Sequence, residues 1–223
     1  MKNPAGIMSK KVIIFDFDGT LADTFDALVV VTNRLALEFG YPPTTPEELP
    51  KIRNLSSREI IKKSGVPIFK IPFFLKKIRE YLHKDILNLN PIPGIKEALL
   101  QLKHEGYCLG ILTSNSEENV NLFLKKHGIE DLFSFIYSET SLFSKDKSIK
   151  KLIKKNHLNS EEVIYVGDET RDIEASKKIN IKVIAVSWGF NSREILTKHN
   201  PDSLIQQPSE LIEVLGSLQQ IVS

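Results

Sequence analysis

With a single cysteine, Cys108, among 223 residues, the chain can form no internal disulfide, and a lone thiol suits a reducing compartment. Long apolar runs are missing as well. The longest, Val12–Phe15 and Leu28–Val31, fall far short of the roughly 20 residues a membrane span needs. Neither sign of charge dominates: 30 Lys and Arg against 28 Asp and Glu leave +2 at neutral pH. That balance gives no support for nucleic acid or another polyanion as a partner. The start, Met1 to Lys11, has lysines with no apolar stretch behind them, so a secretion signal is not expected. Internal repeats and low-complexity linkers are absent too. What is present is close to the globular average, 41% hydrophobic and 26% charged. A chain of this length buries roughly 70% of the surface it exposes when unfolded. The expectation is a soluble, cytoplasmic globular protein without a membrane partner, a monomer or weak homodimer.

The apolar pattern changes rhythm twice. Lys11-Val12-Ile13-Ile14-Phe15 is a β-branched run that reads as a fully buried strand. From Asp23, taken as an N-cap, to Asn90 every signal is helical. Apolar residues at Phe25, Leu28, Val29, Leu35, Ala36 and Phe39 form a stripe closed by Gly40. Ser56 and Glu59 have capping-box spacing before a short helix that stops at Gly65. Phe74, Leu75, Ile78, Tyr81, Leu82, Ile86 and Leu89 mark a longer one, and Pro91-Ile92-Pro93-Gly94 breaks it.

Beyond Gly94 short apolar runs near Cys108–Leu112, Phe133–Tyr137, Val163–Val166, Val183–Val186 and Leu204–Ile205 alternate with helical stretches. That alternation predicts an α/β fold, a doubly wound, Rossmann-like parallel sheet covered on both faces, with ligands bound beyond the carboxyl ends of its strands. The first two strands end roughly a hundred residues apart, whereas a strand-helix-strand unit takes about 30. The surplus predicts an all-helical cap, residues 23–90, inserted into a core of residues 1–22 and 91–223.

Three strand ends carry polar residues: Asp16-Phe17-Asp18-Gly19-Thr20, Leu112-Thr113-Ser114-Asn115, and Gly167-Asp168-Glu169-Thr170-Arg171-Asp172. Neighbouring parallel strands bring such ends side by side. Carboxylates gathered there repel one another, by about 4 kcal/mol per close pair at an effective dielectric of about 20. They share a site only with a compensating cation or a retained proton, and an all-oxygen set suits Mg2+.

These residues resemble the haloacid-dehalogenase-like phosphohydrolases, in the subgroup with a helical cap after the first motif and with phosphoglycolate-phosphatase-like members as the nearest look-alikes. Asp16 to Thr20 matches the family's first motif in full, and Gly167 to Asp172 matches the fourth, Gly-Asp-x-x-x-Asp. Thr113 fits the second motif. Lys145 fits the third and is preferred over Lys147, because it precedes the apolar stripe Ile149, Leu152, Ile153. The resemblance implies a Mg2+-dependent phosphatase of a small phosphate monoester. Asp16 is then the nucleophile that forms an aspartyl-phosphate, and Asp18 is the acid and later the base. Asp16, Asp18 (through its carbonyl) and Asp168 hold the metal, and Asp172 ligates it directly or orders a metal-bound water. Lys145, Thr113, Ser114 and the backbone at Gly19 receive the phosphoryl group. Arg53, at a turn of the cap, is a candidate substrate contact. A sugar-phosphate phosphomutase using the same nucleophile is the alternative.

Overall fold

The computed structural model describes residues 11–138 and 144–220, so all but the last residue of the segment judged for a secretion signal lies outside it. Six parallel strands form one sheet in the order β3-β2-β1-β4-β5-β6. They span Val12–Phe15 (β1), Cys108–Thr113 (β2), Phe133–Ser138 (β3), Val163–Gly167 (β4), Lys182–Val186 (β5) and Ser203–Ile205 (β6). Strand β1 lies between β2 and β4, with Phe15 paired to Ile111 on one side and Val166 on the other. The chain therefore winds outward in both directions from β1, and a crevice opens at its carboxyl end.

Alternation along β1 explains its uniform apolarity. Ile13 and Phe15 pack into a core with Leu99, Leu102, Val120, Phe123 and Leu215. Val12 and Ile14 face the other way, onto Ile149, Leu152 and Ala175. The first layer comes from helices α5 (Ile95–His104), α6 (Glu117–His127) and α10 (Leu211–Gln220). The second comes from α7 (Lys145–Lys155) and α8 (Thr170–Lys178), while α9 (Arg193–Lys198) covers β5 through Leu196. A strand buried on both faces has no polar side, hence the continuous run.

Four helices lie between β1 and α5: α1 (Phe25–Phe39), α2 (Leu49–Ile52), α3 (Ser57–Ser64) and α4 (Ile71–Asp85). Helix α3 has the expected capping box, Ser56 with Glu59, and ends on Gly65 at φ +71°. Helix α1 is capped by Thr24 rather than Asp23, and the Thr24 hydroxyl makes no cap bond. It accepts instead from the Gly19 amide at 3.1 Å, which also donates to the Ala22 carbonyl. Helix α2 was not expected; at four residues it is too short to show periodicity. The segment's entry and exit run side by side: Ala22 bridges Pro91, the Asp23 amide donates to the Asn90 carbonyl, and the Ile92 amide donates to the Leu21 carbonyl. Cys108 is half-buried at the start of β2 beside the Ser134 hydroxyl, more exposed than its strand position suggested. No described helix is long and apolar enough to cross a membrane.

Candidate active site

The carboxyl ends of β1 and β4 lie next to each other, and three aspartates meet there. Asp16, Asp168 and Asp172 each offer a carboxylate oxygen within 4.8 Å of the other two, and all are buried. Asp16 follows β1 directly and its amide still donates to the Val166 carbonyl, which ties the two strand ends together. Asp168 follows β4, and Asp172 sits one turn into α8, where its side chain accepts from the Glu169 amide at 3.0 Å.

Lys145, the first residue of α7, is buried and sends its ammonium between Asp16, at 2.6 Å, and Asp172. Burial works against its charge, but Asp16 and Asp172 more than offset this and hold the ammonium above its usual range. Lys147 is exposed on the opposite side of the helix. Arg171 donates to Glu169 at 2.9 and 2.5 Å and brings its guanidinium to 3.9 Å from Asp16.

Five carboxylates (Asp16, Asp18, Asp168, Glu169 and Asp172) thus face two cations, Lys145 and Arg171. Burial, then Glu169, Asp16 and Asp172, pushes Asp168 well above the carboxylate range. Burial also carries Asp172 up to about 6, although Lys145 pulls the other way. Asp18 rises to about 7, through burial first and Asp16 second. A site in which burial and mutual repulsion push carboxylates toward protonation is short of positive charge, the kind of charge an oxygen-binding divalent cation would supply. The surrounding backbone leaves room for these side chains. A Cβ on Gly19 or on Gly189 would stand 2.3 Å from Asp168 Oδ2, and one on Gly167 would stand 2.2 Å from Asp172 Oδ2.

Other expected residues fall out differently. Thr113 is buried at the end of β2, and its hydroxyl accepts from the Asn115 amide at 2.9 Å. Ser114 presents its carbonyl to Arg79 Nε at 2.6 Å. The Gly19 amide is turned inward to the Ala22 carbonyl and Thr24 hydroxyl, so Gly19 contributes space for Asp168 rather than a free donor. Arg53 does not enter the aspartate cluster. Its Nη2 donates to the Gly189 carbonyl at 2.7 Å and its guanidinium covers the Phe25 ring at 5.0 Å. The reason is local: the 189–192 loop offers carbonyls and amides at the height of the Arg53 turn, and the Arg53 carbonyl accepts from the Ser192 amide at 2.8 Å.

Four further residues contribute in roles that the sequence reading did not assign. The Phe190 amide and Thr20 hydroxyl hold the two oxygens of Asp168, at 2.6 and 2.8 Å. Asn191 accepts from the Thr170 amide and donates to the Arg53 and Leu55 carbonyls. Asn115 donates to both Asp18 oxygens at 3.2 Å. A backbone donor such as the Phe190 amide leaves no sequence signal, whereas Thr20 and Asn115 lie within the polar strand ends that the sequence marks.

Comparison with known proteins agrees with this geometry. The profile of the haloacid dehalogenase-like hydrolases matches residues 13–186. The chain belongs to that family. Among relatives of this hydrolase is the phosphoglycolate phosphatase of Synechococcus elongatus, 36% identical over 94% of this chain and 99% of its own. The pyrophosphatase PpaX of Oceanobacillus iheyensis is 25% identical over 94% of this chain and 98% of its own. A solved structure of a predicted phosphatase from Clostridium acetobutylicum shares the fold, with TM-score 0.78, 20% identity and coverage of 96% of this chain and 98% of that one. The hydrolase is thus an enzyme of the doubly wound α/β type, with a helical segment after its first strand.

Proposed function

We propose that this hydrolase is a Mg2+-dependent phosphatase of a small phosphate monoester, phosphoglycolate-like in class, working through an aspartyl-phosphate on Asp16. The observation that carries the reading is the meeting of Asp16, Asp168 and Asp172 around Lys145 at the carboxyl ends of β1 and β4. Asp16, Asp168 and the Asp18 carbonyl are the residues to hold the cation, with Asp172 beside them. When bound, the ion neutralises the converging charge and draws electron density from phosphoryl oxygens.

The chain's own groups do the rest. Lys145, paired with Asp16 at 2.6 Å, provides a charge for phosphoryl oxygens, as does Arg171 behind it. Asp16 attacks phosphorus, and the bond to the leaving oxygen breaks. Asp18, at about 7, still carries a proton in a substantial share of molecules near neutrality. It gives that proton to the leaving alkoxide, then takes one from the water that hydrolyses the acyl phosphate. In this reading residues 1–22 and 91–223 are the catalytic core and 23–90 a cap that excludes water, pivoting on the bridged residues Ala22 and Pro91.

The test is phosphate release from a panel of phosphorylated metabolites, inorganic pyrophosphate included, with and without chelator. Asp16→Asn is expected to lower kcat about a thousandfold or more, and EDTA to abolish activity until Mg2+ is restored. Turnover that survives Asp16→Asn overturns the nucleophile, and turnover indifferent to EDTA overturns the metal.

A further inference from the structure

A line of side chains runs from helix α4 to Asp18, and every proton along it has one assignment. Asn115 and Asn119 are 2% and 1% exposed. Asn115 Oδ1 accepts from the Ser116 amide and from Asn119 Nδ2, both at 2.8 Å. Its NH2 group therefore faces Asp18, where it donates to both oxygens at 3.2 Å. Asn119 spends its NH2 on Asn115 Oδ1 and on the Arg79 carbonyl, at 3.3 Å. Its Oδ1 must then accept, and the group that meets it is His83 Nδ1 at 2.6 Å, which accordingly carries hydrogen. Arg79 and His83 both belong to α4, and Arg79 Nε also grips the Ser114 carbonyl at 2.6 Å.

Reversing Asn115 would set its oxygen against the Asp18 carboxyl group and its NH2 against the Ser116 amide; reversing Asn119 would set its oxygen against Asn115 Oδ1 and the Arg79 carbonyl. A buried asparagine inside α6 costs stability relative to a packed apolar side chain unless it is fully bonded. Asn119 is fully bonded, and two of its partners come from across the seam between α4 and α6.

We propose that His83, Asn119 and Asn115 are positioning residues that hold Asp18 in its proton-transfer orientation when α4 is docked. The inference rests on the reading of Asp18 as the general acid. Seating of the helical segment fixes Asn119, Asn119 fixes Asn115, and Asn115 fixes the carboxyl group. A displaced α4 leaves Asn119 without two partners and Asp18 free to rotate, so acid catalysis is withheld until the segment closes.

The experiment compares kcat/KM for two substrates that differ in their need for a proton: p-nitrophenyl phosphate, whose leaving group departs unaided, and a primary alkyl phosphate (phosphoglycolate, or the best substrate of the metabolite panel). Asn115→Ala is expected to cost about 10- to 100-fold on the alkyl ester and under about threefold on the aryl ester, a fraction of the full general-acid effect. Asn119→Ala should show the same selectivity, and His83→Ala a smaller version. His83 is itself exposed at the edge of the seam, so its variant reports even if Asn119→Ala fails to fold. Equal losses on both esters in the three variants would mean a merely structural role and overturn the proposal. Asp18→Asn is the control. If it shows the leaving-group preference and the other variants do not, the line alone is wrong. If it shows none, the acid assignment itself falls and takes the line with it.

Discussion

The sheet and the helical segment between β1 and α5 are built to different tolerances. All four residues of β1 and all five of β4 are buried, and their side chains interlock with helices on both faces. The helical segment has a small core of Val31, Leu35 and Leu82, leaves Leu37 94% and Phe69 72% exposed, and encloses a cavity of about 330 Å3 lined by Phe25, Leu28, Ile60 and Phe74 among others. Apolar contacts cross between the two regions at Phe25–Phe190 and at Ile86, which sits in the core of the sheet, but many others are polar: Ser57 on Glu169, Arg53 on Gly189, Asn191 on Arg53 and Leu55, Arg79 on Ser114. Water can replace each of these polar contacts at small net cost. A rigid half thus holds the charges, and a looser half sits on it through bonds that can break and re-form.

Within the rigid half, a methyl group in two places separates the holding of charge from the packing beneath it. Gly189→Ala places a Cβ 2.3 Å from Asp168 Oδ2, while Gly110→Ala drives one into the Phe135 ring at 2.0 Å. The first is expected to cost about 100-fold or more in kcat by moving one carboxylate. The second should cost about 1–3 kcal/mol of stability through overpacking with kcat nearly unchanged. Kinetics and thermal melts on both variants check this.

Next comes pH. Asp18 at about 7 and Asp172 at about 6 bind protons more tightly in the folded chain than in the unfolded one. Stability from these protons is fully present below about pH 4 and is lost as pH rises through 6 and 7. In EDTA the melting temperature should therefore carry a downward contribution across that window. Added Mg2+, favouring the charged forms, should flatten the decline. A curve that is the same with and without Mg2+ would count against the metal site. The smallest effect is expected at the seam: Arg53→Ala should raise KM several-fold, with a melting temperature within about 2 °C of the parent. An unchanged KM would remove Arg53 from any part in holding the segment over the site.

How far each half could be read from its residues follows the same division. Strands buried on both faces have to be apolar without interruption, so β1, β2, β4 and β5 stood out, with Asp16 and Asp168 immediately beyond two of them. In the helical segment Gly40 and Gly65 stopped helices where expected, but α2 and the Thr24 cap were invisible. A four-residue helix shows no periodicity, and the Thr24 hydroxyl is taken up by the Gly19 amide rather than by a cap bond. Arg53 shows the limit most clearly. It was a candidate substrate contact at a turn of the helical segment, and its bond to the Gly189 carbonyl, on a loop more than a hundred residues away, had no trace in the residues around it.

Periodicity and the motifs at strand ends were enough to establish the parallel sheet, the helical excursion after its first strand and the family, because these depend on local rules that each residue obeys with its near neighbours. The donors on Asp168, the inward turn of the Gly19 amide, the pinning of Arg53 and the line from His83 to Asp18 were settled only by tertiary structure. Each is a bond between groups distant in sequence, formed where packing left one polar atom in need of another.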